Sequence, residues 1–171
     1  MLQFLLVLLL PFAALTQNAN PAPAHHELRE VKFDDQILFG MIKGKEFSLP
    51  QMWVYDRQGR QVADFGDGFD PDGFRPQLEK VLHSPSPKAD GKSLEAVVKD
   101  FVEKDGKPLR KLADADFTIV EYWAEWCEAC HDQAKLLNEV VSAQTDLNIT
   151  VFHVEADPEK IRLPGVVMEK K

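Results

Sequence analysis

Two cysteines three positions apart, Cys127 and Cys130, are the residues of this sequence whose type and spacing most directly suggest chemistry. They are the only cysteines in the 171-residue chain. A structural disulfide usually closes a longer loop, because the entropy that a cross-link removes from the unfolded chain grows with loop length. The Cys-x-x-Cys spacing therefore favours reversible thiol–disulfide chemistry or a set of ligands.

The sequence around the pair predicts a strand before it and a helix after it. Residues 117–123, FTIVEYW, are rich in β-branched and aromatic types, which is typical of a buried strand. Residues 128–144 place apolar side chains on one helical face: Ala134, Leu137, Val140 and Val141. Cys127 should then lie at the amino end of the helix, where unpaired N–H groups and partial positive charge favour a thiolate.

This placement implies a division of labour between the two sulfurs. Cys127 would attack the disulfide of a partner, and Cys130, one turn into the helix, would resolve the mixed disulfide. Glu128 follows Cys127 directly, and its negative charge opposes thiolate formation there, although a solvated surface Glu is an equal alternative. We therefore expect a redox pair that is not a very strong oxidant.

Residues 117–137, FTIVEYWAEWCEACHDQAKLL, resemble the active-site region of thioredoxin-like proteins. The Trp-Ala-Glu-Trp-Cys stretch is the most specific part, and the Glu-Ala between the cysteines is closer to bacterial periplasmic thioredoxin-like reductases than to the Gly-Pro of thioredoxin. The resemblance implies an α/β thioredoxin-like fold, in which helices flank a central mixed sheet. It also implies the activity of a thiol–disulfide oxidoreductase.

The resemblance implies roles for two more residues. In thioredoxin a buried acid lies six residues before the first cysteine, and here that position is Glu121. A carboxylate in a buried strand could take a proton from Cys130, although a Glu turned to solvent is the simpler alternative. Trp126 is expected to shield the disulfide from the side and to contact substrate.

The segments that would complete such a fold lie upstream of the cysteines. Thioredoxin-like folds continue after the third strand with a helix, a cis-proline, two strands and a final helix, yet only sixteen residues follow Glu155. Residues 39–82 resemble the carboxy-terminal half of a thioredoxin instead. We therefore expect a circularly permuted fold, with Pro50 as the cis-proline that contacts the disulfide and binds substrate. Pro164 is the rival, as the cis-proline of a truncated fold.

The upstream half is predicted to contain a hairpin and a helix. Residues 47–55 and 60–65 are apolar runs around a polar turn that ends in Gly59. A helix should begin near Gly73, with Pro76 in its first turn, and should bury one apolar stripe: Phe74, Leu78, Val81 and Leu82. The first strand of the fold and the helix before the cis-proline have no secure place in this scheme.

Two further elements are predicted around the cysteine segment. Ser93 should open a helix that runs beyond residue 100, because one continuous helical face is apolar: Leu94, Val97, Val98, Phe101 and Val102. Residues 148–155, NITVFHVE, should form a strand.

Residues 1–24 are expected to be a secretory signal peptide and flexible leader. Residues 4–15 are almost unbroken apolar sequence, too short to span a bilayer comfortably, and small residues follow with cleavage near Ala19 or Ala24. No Lys or Arg precedes the apolar run, so an uncleaved anchor is the alternative. The expectation is a periplasmic or secreted protein with no stable membrane insertion after cleavage. Residues 25–171 should form a single domain: a hairpin-plus-helix half (31–82), a linker (83–92) and a Cys-x-x-Cys half (93–171).

The composition limits the partners. The formal net charge of −8 argues against nucleic acid or anionic membrane, because both attract basic surfaces. Protein thiols and disulfides and an upstream redox partner are the expected partners of a monomer. No cofactor or metal is predicted: zinc usually takes four ligands, His25 and His26 fall in the leader, and His153 is expected to be a packed or surface strand residue.

Two alternative functions remain open at the level of sequence. Residues 127–131 spell Cys-Glu-Ala-Cys-His, the attachment signature of c-type haem. The second alternative is a thioredoxin-like binding module with a static disulfide, because fold alone does not establish activity.

Overall fold

The computed structural model describes residues 24–44, 48–66, 68–112 and 114–161. Within these ranges the strands form one mixed sheet of six strands in the order β3-β2-β5-β6-β1-β4. The strands are β1 (His26–Phe33), β2 (Gln51–Asp56), β3 (Gln61–Phe65), β4 (Phe101–Glu103), β5 (Phe117–Trp123) and β6 (Ile149–Glu155). The helices are α1 (Asp35–Gly44), α2 (Pro71–His83), α3 (Leu94–Val98) and α4 (Glu128–Ala143), and a short 3₁₀ turn covers Pro158–Lys160. The predicted signal segment and Pro164 lie outside the described residues.

The middle of the sheet is parallel and its two sides are antiparallel. Strands β5, β6 and β1 run parallel to one another. Strand β2 is antiparallel to β5, β3 is antiparallel to β2, and β4 is antiparallel to β1. This is the mixed α/β sheet flanked by helices that the sequence predicts.

Helices cover both faces of the sheet. Leu78 of α2 and Leu137 of α4 share one apolar cluster with Ile119 of β5. Leu38 of α1 and Val97 of α3 belong to the cluster on the other face. Strand β5 lies between the two layers, and six of its seven residues are buried. This explains why its sequence is apolar without strict alternation.

The upstream hairpin is part of the same sheet. Strand β2 pairs with β5 along its whole length, with Gln51 opposite Tyr122 and Asp56 opposite Phe117. Gly59 closes the hairpin turn with a φ of 71°, a conformation that glycine adopts without a steric penalty. The Leu49–Pro50 peptide bond, directly before β2, is cis.

Strand β1 and helix α1 fill the places that the sequence left without an assignment. His26, expected in a flexible leader, is the first residue of β1 and pairs in parallel with Ile149 of β6. The leader interpretation of this residue was wrong because the strand's partner lies more than a hundred residues away in the chain. Local sequence carries no information about such a pairing.

The predicted helix from Ser93 to beyond residue 100 is also wrong in part. Helix α3 ends at Val98, and Phe101 begins β4, whose register with β1 places Phe101 opposite Phe33. The two rings meet edge to face with centroids 5.2 Å apart. Pairing with β1 satisfies backbone groups at an otherwise open sheet edge, and this outweighs continuation of the helical pattern.

Helix α2 begins earlier than predicted. Asp70 caps it by accepting a hydrogen bond from the N–H of Asp72 at 3.2 Å, and Pro71 is its first residue. Pro76 therefore lies inside the helix rather than in its first turn. Phe74, Leu78 and Leu82 are buried as the stripe predicts, and Val81 is partly buried.

The segment between α2 and α3 runs over the surface. Residues 84–92 are exposed apart from the half-buried Gly91. The N–H of Lys88 donates to the carbonyl of Gln61 and ties the segment to β3. None of the helices in the described ranges is long and apolar enough to cross a membrane.

Candidate active site

A tight turn carries the chain from the central strand into the cysteine helix. Strand β5 ends at Trp123, and the N–H of Cys127 donates to the carbonyl of Ala124 at 3.0 Å. Cys127 is the N-cap residue of α4, with extended backbone angles. The predicted strand–turn–helix arrangement is therefore present, and it places the first sulfur at the amino end of the helix.

Cys127 and Cys130 form a disulfide, with Sγ–Sγ 2.04 Å apart. The two residues differ in exposure: Cys127 retains 7% of its accessible surface and Cys130 only 1%. The N–H of Cys130 donates to Cys127 Sγ at 3.2 Å. The outer sulfur is thus the one that another molecule can approach, and a backbone donor is already directed at it.

The surroundings of the disulfide are apolar on the inside and open on the outside. Leu49 and Trp123 pack against the small buried cluster formed by the cysteines and Ala124. Pro50, next to Leu49, is buried at the start of β2. Trp126 is 61% exposed, directly before Cys127. A large exposed indole beside a reactive sulfur offers a contact surface for a docking polypeptide.

Glu121 is buried in β5, with 1% of its surface accessible. It lines a cavity of about 390 Å³ beneath α4 together with Ala134. Ala134 lies four residues after Cys130, on the same face of the helix. The carboxyl group is therefore buried beneath α4 and is not turned to solvent.

His153 is the partner of this carboxyl group. The residue lies opposite Glu121 on the neighbouring parallel strand β6. Its Nδ1 is 2.9 Å from Glu121 Oε2, and its ring stacks on Trp123 with centroids 4.5 Å apart. Glu121 Oε1 has no hydrogen-bond partner among the residues that the structure describes.

The sequence alone predicts His153 as a packed or surface strand residue, although it contains a signal for the pairing with Glu121. Glu121 and His153 occupy equivalent positions near the ends of two apolar strands, and parallel strands that flank one helix are commonly neighbours. The register that brings the two side chains together depends on the sheet as a whole.

Glu30 adds a third polar side chain to the Glu121–His153 pair, and the three residues form a row across the sheet. Glu30 of β1 lies opposite His153, and both line the same cavity. Lys104 donates a hydrogen bond to Glu30 and lowers the pKa of that carboxyl group, with a weaker contribution from His153. The row Glu30, His153 and Glu121 therefore leads from an exposed carboxylate to a buried one.

His131 does not join this row. Its Nε2 is 2.9 Å from the carbonyl oxygen of Glu125, and the residue is exposed. Both cysteine sulfurs are bonded to each other, so this arrangement offers no thiol for the thioether bonds of a c-type haem. Among the described residues there is no group of three or more His, Cys, Asp or Glu side chains that could hold a metal ion.

Comparisons with known proteins agree with this geometry. The thioredoxin family model matches residues 103–164, a range that contains both cysteines, α4 and β6. A protein described as "Putative thioredoxin 2" from Streptomyces coelicolor (strain ATCC BAA-471 / A3(2) / M145) is 29% identical over 55 residues, which cover 32% of this chain and 41% of that protein. The chain thus matches less than half the length of this curated relative. No solved structure matches the chain at a significant level. The matched segment and the six-stranded mixed sheet flanked by helices show a thioredoxin-like fold and support the similarity of this chain to the thioredoxin-like superfamily.

Proposed function

We propose that this protein is an exported oxidoreductase that exchanges disulfides with protein partners through Cys127 and Cys130. The observation that carries the proposal is the placement of the pair at the amino end of α4, with the outer sulfur accepting a backbone N–H. A helix amino terminus and a directed N–H both stabilise negative charge on sulfur. The same groups would stabilise Cys127 as the nucleophile and as the leaving group.

The proposed mechanism follows from the different exposure of the two sulfurs. Cys127, the more accessible one, attacks the partner's disulfide and forms a mixed disulfide. Cys130 is buried one turn further on and can reach only Cys127 or a sulfur bonded to it. It therefore resolves the mixed disulfide and releases the partner as a dithiol.

Trp126 and Pro50 are the residues proposed to contact the substrate. Trp126 is exposed directly before Cys127, and Pro50 lies directly before β2, the strand that pairs with the cysteine strand. The pairing of the upstream hairpin with β5 and the packing of α2 against α4 support a circularly permuted arrangement, in which residues 31–82 supply the half that follows the cysteine half in ordinary thioredoxins.

Export and partner class are argued from sequence and charge. The apolar run of residues 4–15 followed by small residues supports a cleaved signal and a periplasmic or secreted location. A net charge of −8 favours protein partners over nucleic acid. The amino-terminal sequence of the protein recovered from the cell envelope or medium tests this part: cleavage near residues 19–24 supports export, and an intact Met1 contradicts cleavage.

The proposed activity is tested by the reduction of insulin disulfides in the presence of dithiothreitol. The native protein should accelerate precipitation of the insulin chains, and Cys127→Ser should reduce the rate to that of dithiothreitol alone. Native protein without activity would support the binding-module alternative. An absorption band of haem in the purified protein would support the haem alternative.

A further inference from the structure

The cavity of about 390 Å³ beneath α4 is elongated along β1. Its lining residues on that strand run from His26 to Glu30, which is about 13 Å at the rise of a β-strand. Because β5 and β6 are parallel, the helix between them must run back along the sheet. The lining residues of α4 therefore run from Ala134 at the Glu30 end to Ser142 at the His26 end. The cavity is thus a groove between one strand and one helix.

The middle of this groove is apolar and partly open. Val151 of β6 is 7% exposed, whereas Leu28, directly opposite it on β1, is 66% exposed. Leu137 and Val141 of α4 line the other side of the groove. A ligand that covered Leu28 would bury apolar surface that now faces water, and such burial is favourable.

The Glu30 end of the groove contains a buried carboxyl oxygen without a donor. Glu121 lines the groove and is 1% exposed. Its Oε2 is 2.9 Å from His153 Nδ1, whereas its Oε1 has no hydrogen-bond partner within the described ranges. A buried polar atom without a partner costs free energy. A ligand that brought a hydrogen-bond donor to Oε1 would remove this cost.

The charges at this end of the groove favour a cation. Lys104 already pairs with Glu30. By contrast, no Lys or Arg of the described part of the chain forms an ion pair with Glu121, and none is among the described residues that line the groove. A positive ligand would therefore find an acceptor without a competing side-chain cation. An ammonium group fits this position because it carries three N–H donors and a compact positive charge.

We propose that this groove is a binding site for a small organic cation, whose primary ammonium group donates to Glu121 Oε1 and whose apolar chain lies between Leu28 and α4. The site goes beyond the proposed function, because it needs neither a thiol nor a protein partner. Its volume of about 390 Å³ lies near the lower limit of small-molecule sites, which is about 300 Å³. The ligand is therefore a single chain or ring and not a folded polypeptide.

Straight-chain amines are the probes for this site, because their charge and their chain length can be varied separately. n-Butylamine, n-hexylamine and n-octylamine are titrated into the oxidised full chain at neutral pH. Dissociation constants are measured from NMR chemical shifts, and the methyl signals of Leu28 and Val151 locate the bound chain. 1-Hexanol is the neutral control, and hexanoate is the anionic control.

The expected result is binding that depends on both the charge and the chain. n-Hexylamine should bind at least about tenfold more tightly than 1-hexanol, because only the ammonium group compensates the buried carboxyl group. Hexanoate should not bind. Each added methylene should tighten the binding of the amine by about two- to fourfold until the chain fills the groove. The methyl signals of Leu28 and Val151 should shift in proportion to saturation.

Three variants separate the role of charge from that of shape. Glu121→Gln keeps the shape of the side chain and removes its charge, so it should weaken n-hexylamine by at least about tenfold and leave 1-hexanol unchanged. Glu139→Gln, on α4 but outside the groove, is the matched control and should bind like the native protein. Ala134→Leu fills part of the groove and should weaken the amine and the alcohol alike. Thermal unfolding followed by circular dichroism checks that each variant is folded.

Equal affinity of the native protein for n-hexylamine and 1-hexanol would overturn the inference. Unchanged amine binding in Glu121→Gln would also overturn it, as would the absence of saturation up to about 10 mM n-hexylamine. A failure of the proposed function gives a different result. In that case the protein does not reduce insulin, yet amine binding is unaffected, because the titration uses the oxidised protein without a partner.

Discussion

Met52 of the upstream hairpin lies directly opposite Glu121 of the cysteine strand, in antiparallel register, and both side chains are completely or almost completely buried. The hairpin is therefore not an accessory to the cysteine half but pairs with the strand that carries the buried carboxyl group. Helix α2, which follows the hairpin, packs against α4 in the same apolar cluster. The stability of the cysteine helix should depend on this upstream segment.

Leu78→Ala tests that dependence. Leu78 is fully buried in α2, in the cluster that also contains Leu137 of α4. Removal of its side chain should lower the free energy of unfolding by about 2–5 kcal/mol in one cooperative transition. Lys80→Ala, on the same helix, should have little effect. Two separate transitions, with the cysteine half unaffected, would show that the halves are independent.

Glu121→Gln tests the buried carboxyl group. The amide cannot accept the Cys130 proton, so resolution of a mixed disulfide near neutral pH should slow by about 10²-fold, while attack by Cys127 continues. The reduced protein is mixed with an aromatic disulfide reagent that releases coloured thionitrobenzoate on attack by Cys127 and again on resolution by Cys130. The rate of the second release and the amount of trapped adduct measure the effect. Glu27→Gln, a change at the rim of the same cavity, is the matched control. Resolution at the native rate from about pH 6 to 9 would remove Glu121 from the mechanism.

Trp126→Ala tests the docking surface. The indole is 61% exposed beside Cys127, so its loss should raise KM for a protein disulfide by about tenfold, equal to roughly 1.4 kcal/mol, with little change in kcat. The melting temperature should stay within error, because an exposed side chain contributes little to folding. Leu28→Ala removes an equally exposed apolar side chain, 66% accessible, from β1 and should leave KM unchanged. An unchanged KM in Trp126→Ala contradicts the assignment.

Glu103→Gln tests how the edge strand is attached. The backbone N–H of Arg110 donates a hydrogen bond to the Glu103 carboxylate, and the side chains of Arg110 and Arg29 also donate to it. These hydrogen bonds lower the pKa of Glu103 from 4.5 to about 2. Since the folded pKa is depressed, the carboxylate adds stability that is fully present above its ordinary pKa and is lost as the pH falls towards 2. The substitution should therefore cost about 1–2 kcal/mol of unfolding free energy at neutral pH.

The pH dependence separates this ion cluster from simple packing. The difference in unfolding free energy between Glu103→Gln and the native protein should shrink as the pH falls from the ordinary pKa of the carboxyl group towards the lowered one, and it should vanish below the lowered pKa, where the native carboxyl group is protonated. Denaturant titrations at several pH values measure it, with Glu95→Gln on α3 as an exposed control. If the unfolding free energies of Glu103→Gln and the native protein differed by the same amount at all pH values, the charge of Glu103 would play no part.

The cysteine segment could be predicted from sequence because its signals are local. The apolar run of residues 117–123, the cysteine spacing and the periodicity of α4 all lie within 27 residues and agree with one another. The position of Glu121 followed from its offset to Cys127. The carboxyl group's partner, His153, could not be predicted, because the pairing depends on the register between β5 and β6.

The other places where the structure differs from the sequence-based predictions have the same cause. His26 and Phe101 both lie in strands whose partners are distant in the chain. Local sequence favoured a flexible leader for His26 and a helix for Phe101. Phe101 continued a helical pattern, yet the open edge of β1 offered backbone partners that a longer helix could not. Tertiary pairing outweighs local preference where a sheet edge would otherwise be exposed.

The assignment of Cys127 as the nucleophile is the central claim, and covalent trapping tests it most directly. Cys130→Ser, reduced and then mixed with a disulfide-bonded protein, should accumulate a mixed disulfide whose mass and peptide map place the bond at Cys127. Cys127→Ser should form no such adduct under the same conditions, because Cys130 is buried. Adducts at Cys130 in the Cys127→Ser protein, formed as fast as those at Cys127, would contradict the account.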